Sequence, residues 1–331
     1  MGFAVVRTNR EFVRPSAATP PSSGELLELS IIDRVVGLRH LVTEFSCGGF
    51  VVGLISVHTM ADGLGAGQFI NAVGDYARGL DRPRVSPVWA REAIPSPPKL
   101  PPGPPPELKM FQLRHVTADL SLDSINKAKS AYFAATGHRC STFDVAIAKT
   151  WQARTRALRL PEPTSRVNLC FFANTRHLMA GAAAWPAPAA GGNGGNGFYG
   201  NCFYPVSVVA ESGAVEAADV AGVVGMIREA KARLPADFAR WAVADFREDP
   251  YELSFTYDSL FVSDWTRLGF LEADYGWGPP SHVIPFAYYP FMAVAIIGAP
   301  PVPKTGARIM TQCVEDDHLP AFKEEIKAFD K

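Results

Sequence analysis

Apolar positions along this chain switch repeatedly between strand-like and helix-like spacing. Residues Gly49 to His58, GFVVGLISVH, form a short apolar, β-branched run that predicts a buried strand. Leu64, Phe69, Val73 and Tyr76 then recur at near-helical intervals and predict a helix over Leu64 to Arg78, with HTMADG as the tight turn between. Alternation from Lys109 to Thr117 predicts a strand, and Ser and Asp at capping positions open a helix over Ser121 to Thr136. A further helix is expected over Ser141 to Leu158, with Asp144 in its first turn. Strands are expected at Val167 to Ala173, Phe203 to Val209 and Met292 to Ile297, and helices at Val215 to Leu234 and His318 to Phe329. The class is mixed α/β.

Two stretches interrupt this pattern. SPPKLPPGPPP, from Ser96 to Pro106, can be neither helix nor central strand, because each proline lacks an N–H and restricts the residue before it. It reads as an extended connector. Met179 to Gly197 mixes Ala, Pro, Gly and Asn without period and reads as a surface loop. At 331 residues the chain is long enough for two domains.

A net charge of −1 and the absence of a Lys/Arg run argue against nucleic acid as a partner. The first residues reach Arg7 and Arg10 too soon for a signal peptide or a membrane span, so a cytoplasmic protein is expected. Cys47, Cys140, Cys170, Cys202 and Cys313 are scattered without metal-ligand spacing, so no metal is expected and the thiols read as reduced.

His58 ends the buried run and enters a turn containing Asp62 and Gly63. An imidazole there suits acid–base chemistry, since it titrates near neutral pH and strand ends hold side chains where clefts open. A buried histidine satisfied by backbone fits the same pattern. Asp62 reads as a structural anion for an arginine elsewhere, and Gly63 as supplying the backbone freedom of the turn. By itself Asp274-Tyr275-Gly276-Trp277-Gly278 reads as a glycine-pinned turn with a packed tryptophan.

Together, in this order, HTMADG and DYGWG resemble the two signatures, HxxxDG and DFGWG, of the plant BAHD acyltransferases, with Tyr275 in place of the usual Phe. LSIIDR (Leu29 to Arg34), CFFANTRHL, FYGNCFYPV (Phe198 to Val206) and SDWTRLGF (Ser263 to Phe270) resemble further family segments. The N-terminus and the DYGWGPP ending look most like the grass hydroxycinnamoyl-transferring members.

The resemblance implies two chloramphenicol-acetyltransferase-like α/β domains, with mixed sheets flanked by helices and a channel between them. Residues 1–82 would be a truncated N-terminal domain, 83–106 a proline-rich crossover linker, and 107–331 the C-terminal domain. His58 would be the general base and Asp62 would pair with Arg176. DYGWG would be structural, and Trp265 and Arg267 would lie on the acceptor side. The implied partners are an acyl-CoA co-substrate and a small hydroxylated acceptor, with no resident cofactor and a monomeric state. Two departures stand out. Pro279 replaces a basic residue that often follows DFGWG, and relatives place roughly 100 residues, a small domain's worth, between the GLRHLV segment and the strand entering HTMADG. The first domain is therefore expected to be incomplete, which exposes sheet edges and leaves open a catalytically silent variant that acts at most as a binding protein.

Overall fold

The computed structural model describes residues 2–7, 39–56, 58–98, 108–180, 182, 185, 197–285 and 288–330. LSIIDR, residues 99–106 of the proline-rich stretch and most of the 179–197 loop lie outside the described residues.

A four-stranded and a six-stranded sheet organise the described chain. The smaller sheet contains β1 (Gly2–Arg7), β2 (Arg39–Glu44), β3 (Phe50–Ile55) and β8 (His282–Pro285), in the order β2-β3-β1-β8. Its pairings are all antiparallel, with Val42 opposite Val52 and Val5 opposite Val283. This sheet therefore draws strands from both sides of the proline-rich stretch.

The larger sheet runs β4 (Arg114–Leu120), β10 (Ala307–Val314), β9 (Val294–Gly298), β7 (Ser259–Asp264), β5 (Arg166–Asn174), β6 (Phe203–Glu211). Its centre, β9-β7-β5, is parallel, and its flanks are antiparallel. Successive side chains on a strand face opposite ways, so central strands buried on both faces read as continuous apolar runs. Leu169, Phe171, Leu260, Val262, Ala295 and Ile297 enter one core. Their alternates Cys170, Phe261, Val294 and Ile296 enter a second core on the other face.

The first core is covered by α2 (Leu122–Thr136), α3 (Thr142–Leu158), α4 (Ser212–Ala217), α5 (Val220–Ala242) and α6 (Leu319–Lys327). α3 lies between the sheet and the other helices and is buried almost all round. Its start is set by a capping box: Ser141 N–H donates to Asp144 at 2.8 Å and Asp144 N–H to the Ser141 hydroxyl at 3.0 Å. The helix expected over 215–234 is instead two. Gln152 of α3 donates to the Val215 and Ala218 carbonyls at 3.1 and 2.7 Å, and Asp219 caps α5 through the Gly222 N–H at 2.7 Å. Satisfied carbonyls at the end of α4 and a new cap beyond them make a helix break stable. The strand expected over 109–117 occupies 114–120, pinned by its register with β10.

The second core receives Val52 and Leu54 from β3 and Ala66 and Ile70 from α1 (Gly63–Ala77). The strand, turn and helix around His58 thus pack on the sheet face opposite the helical layer. Trp151 of α3 is fully buried in the first core. Trp151→Ala is expected to destabilise the protein by about 3–5 kcal/mol, seen as a lower urea midpoint.

Candidate active site

His58 lies just past β3, in the turn that leads to α1, and its side chain is exposed. Its ring meets Phe203 edge-on, with centroids 6.1 Å apart. No hydrogen bond joins the imidazole to another described residue. The buried, backbone-satisfied histidine that fits the same sequence pattern is not what the fold contains.

Around the imidazole, two carbonyls of the turn and its carboxylate are engaged. The His58 carbonyl accepts from Asn201 Nδ2 at 2.8 Å, and the Met60 carbonyl from Arg91 Nη2 at 2.5 Å. Asp62 is 8% exposed and caps α1 through the Gly65 N–H at 3.0 Å. It also forms a two-pronged pair with Arg176, at 2.8 Å from Nη1 to Oδ2 and 2.9 Å from Nη2 to Oδ1. The Cys202 N–H completes the carboxylate's shell at 3.1 Å.

Arg176 is 9% exposed and is equally well supplied. It donates to the Gly200 carbonyl at 2.9 Å and to Asn174 Oδ1 at 3.2 Å, and its guanidinium lies 5.6 Å from the Phe198 ring centre. Two buried charges are tolerable only with close geometry and satisfied remaining valences, and both conditions hold.

α1 reaches its neighbours through glycine. A Cβ on Gly65 would sit 1.8 Å from the Tyr199 carbonyl oxygen, and one on Gly67 1.7 Å from that of Leu268. Backbone of 198–202 thus contacts one glycine of α1 and backbone of 267–269 another. Asn71 extends the second contact, donating to the Gly269 carbonyl at 2.6 Å. At Gly63 the atoms nearest an added Cβ belong to the Leu268 side chain, which can shift more easily than backbone, so its restriction is weaker.

The DYGWG turn is held from within. Asp274 accepts the Gly276 and Gly278 N–H groups at 2.8 Å each, and both glycines have φ near +100°, at 105° and 87°. Those bonds, Gly276 first, together with the Arg78 charge, hold the Asp274 carboxyl below the usual carboxylate range. Trp277 is exposed and meets Phe50 of β3 edge-on at 5.0 Å. The Tyr275 hydroxyl is buried with no hydrogen-bond partner among the described residues, and burial pushes its pKa up to about 12.

The turn therefore joins β3 and α1 rather than His58 itself. Gly74 of α1 lies so close to the Asp274 carbonyl that a Cβ would approach to 2.5 Å. Trp265 is 5% exposed, its ring against Phe270 in the second core, whereas Arg267 is exposed. Arg91, Asn201, Gly65 and Gly67 are the turn-holding residues that sequence reasoning misses. The glycine-rich GLGAG run was the available signal.

A model of the Transferase family matches residues 38–329. The chain belongs to this family, the plant BAHD acyltransferases. It is 75% identical to Acyl transferase 4 of Oryza sativa subsp. japonica over an alignment of 439 positions that covers all of both chains. Since this BAHD chain has 331 residues, 108 of those positions have no counterpart in it, and they are internal. It is 35% identical over 304 residues to the myricetin 3-O-glucosyl 1,2-rhamnoside 6'-O-caffeoyltransferase AT2 of Crocosmia x crocosmiiflora, covering 87% of this chain and 67% of that one. Among solved structures, vinorine synthase superposes with a TM-score of 0.64 at 19% identity, over 96% of this chain and 71% of its own. That likeness establishes the two-unit, chloramphenicol-acetyltransferase-like fold, here with its first unit incomplete.

Removing either member of the buried pair leaves the other charge uncompensated. Asp62→Ala and Arg176→Ala are each expected to cost about 3–5 kcal/mol, and the double variant less than their sum. A double-mutant cycle in urea measures both.

Proposed function

We propose that this chain is an acyl-CoA-dependent O-acyltransferase. It moves a hydroxycinnamoyl group, p-coumaroyl or feruloyl, from coenzyme A to the hydroxyl of an alcohol or sugar, with His58 as general base. The observation that carries this reading is the exposed imidazole with no hydrogen-bond partner among the described residues, on a turn where the His58 and Met60 carbonyls and the Asp62 carboxylate are engaged by other residues. The caffeoyltransferase named among the relatives supports the acyl class.

In this mechanism His58 withdraws the acceptor's proton while the acceptor oxygen attacks the thioester carbonyl. The tetrahedral intermediate collapses, the C–S bond breaks, and His58 returns the proton to the departing thiolate. The ester forms directly, with no covalent enzyme intermediate. Asp62 and Arg176 act through the turn and touch no reacting atom. Trp265 and Arg267 belong to the acceptor side in this reading, Arg267 with the more accessible side chain. Residues 1–82, 83–106 and 107–331 form the truncated first domain, the linker and the second domain of a cytoplasmic monomer.

A second reading, a catalytically silent variant that acts at most as a binding protein, is favoured by one observation: 108 aligned positions of the rice relative are missing here. Mass spectrometry of the purified chain with p-coumaroyl-CoA or feruloyl-CoA and a panel of alcohols separates the two. Ester is expected from the native chain, with the rate lowered roughly 10²–10⁴-fold in His58→Ala. No ester from a folded sample, alongside turnover by a chain carrying the missing segment, establishes the silent variant.

A further inference from the structure

We propose that Arg91 is a positioning residue for His58, holding the catalytic turn by its middle from outside the two signature motifs. The inference rests on His58 being the base. The turn is tied at three points. Asn201 takes the His58 carbonyl and Arg176 takes the Asp62 carboxylate, while the Met60 carbonyl between them is bound by Arg91 at 2.5 Å. Among the described residues, that bond is the one side-chain tie between His58 and Asp62.

Arg91 is itself fixed. Its guanidinium stands 4.5 Å from the Trp89 ring centre and 5.4 Å from that of Tyr199, so two aromatic faces orient the plane that points Nη2 at Met60. The two rings meet at 64° with centroids 6.4 Å apart. Trp89 is 59% exposed, an unusual place for a tryptophan unless it has work there, and Arg91 is what it covers.

The backbone bears the same mark. Ala90, between Trp89 and Arg91, has φ 33° and ψ 32°, a left-handed conformation that a residue with a Cβ adopts only when its surroundings impose it. Arg91 Nε is buried without a hydrogen-bond partner among the described residues. A strained alanine and an unpaired donor are both tolerated at the place that brings Nη2 to the turn. Tyr199 belongs to the segment that also carries Asn201 and the Gly200 carbonyl, so Arg91 locks the turn to that segment as well.

Arg91→Ala tests this, with Arg91→Lys and Trp89→Ala beside it. Hydrogen exchange read by mass spectrometry on the peptide covering 56–66 is expected to quicken in Arg91→Ala, with no change in 142–158. Trp89→Ala, at an exposed site, is expected to move the same peptide less, and it decides the matter if Arg91→Ala does not fold. In steady-state assays kcat is expected to fall by roughly 10- to 100-fold, in line with small misplacements of a base, while KM for acyl-CoA stays within about twofold. Lysine keeps the charge but loses the planar stack, so it restores only part of kcat. Unchanged exchange at 56–66 in Arg91→Ala and Trp89→Ala overturns the proposal, whether or not the native chain makes ester. Quickened exchange in a chain that makes no ester supports the clamp and overturns the acyltransferase reading instead.

Discussion

The fork between Asp62 and Arg176 is the contact on which the arrangement around His58 depends. Both groups are nearly out of water, where an unpaired charge would be prohibitive, so the pair dictates where every neighbouring dipole goes. The carboxylate takes two N–H groups besides the guanidinium, from Gly65 in the helix it caps and from Cys202 at the far side. The guanidinium takes the carbonyl of Gly200 and the amide oxygen of Asn174. One ion pair thereby fixes the start of α1, the approach to β6 and the end of β5 relative to one another.

Glycine makes the fit possible at backbone level. α1 cannot approach the 198–202 and 267–269 segments with side chains in the way, and the gaps at Gly65 and Gly67 are too small for a methyl group. The helix dislikes glycine, at a cost of about 1 kcal/mol each relative to alanine. Burial of Ile70 and Ala66 in the second core, and the Asn71 bond to Gly269, offset that loss. Rigidity at the His58 turn thus comes from close backbone packing on both sides of α1, and the DYGWG turn adds a third support through Gly74 and Phe50.

How much of this could be read in the sequence follows from how each contact is made. The strand, turn and helix around His58 are legible because a β-branched run, a glycine-containing turn and helical spacing all agree. α3 is legible from its capping box. β8 is not, since four residues ending in proline carry no alternation. β10 is obscured by polar residues in a buried strand: Thr311 is satisfied by the Val294 carbonyl at 2.6 Å, a partner no local pattern reveals. The Arg91 bond to Met60 closes over 31 residues that include all of α1, and it depends on an aromatic neighbour brought in from residue 199. Pairings of this kind appear only once the chain is folded.

The missing segment bears on these same contacts. Each side-chain tie on the His58 turn comes from residues 62–98 or 174–202, all present here, and the second core under the turn takes Val52, Leu54 and Val283 from the smaller sheet and Cys170, Phe261, Val294, Ile296 and Met310 from the larger. The side-chain ties on the proposed base's turn therefore use none of the 108 absent positions, although β3, which leads into that turn, belongs to the smaller sheet. In the proposed reading, a smaller first sheet offers less apolar surface to wall a substrate channel, and Val42 of β2, at the edge of the four-stranded sheet, is 66% exposed. Loss of wall affects which molecules are enclosed and how well water is excluded, whereas loss of the clamp would affect the geometry of the base. The two consequences fall on different kinetic constants, binding on the one hand and chemistry on the other. On the proposed function, a chain shortened in this way would keep the ties on its histidine's turn and give up part of the surface that meets substrate.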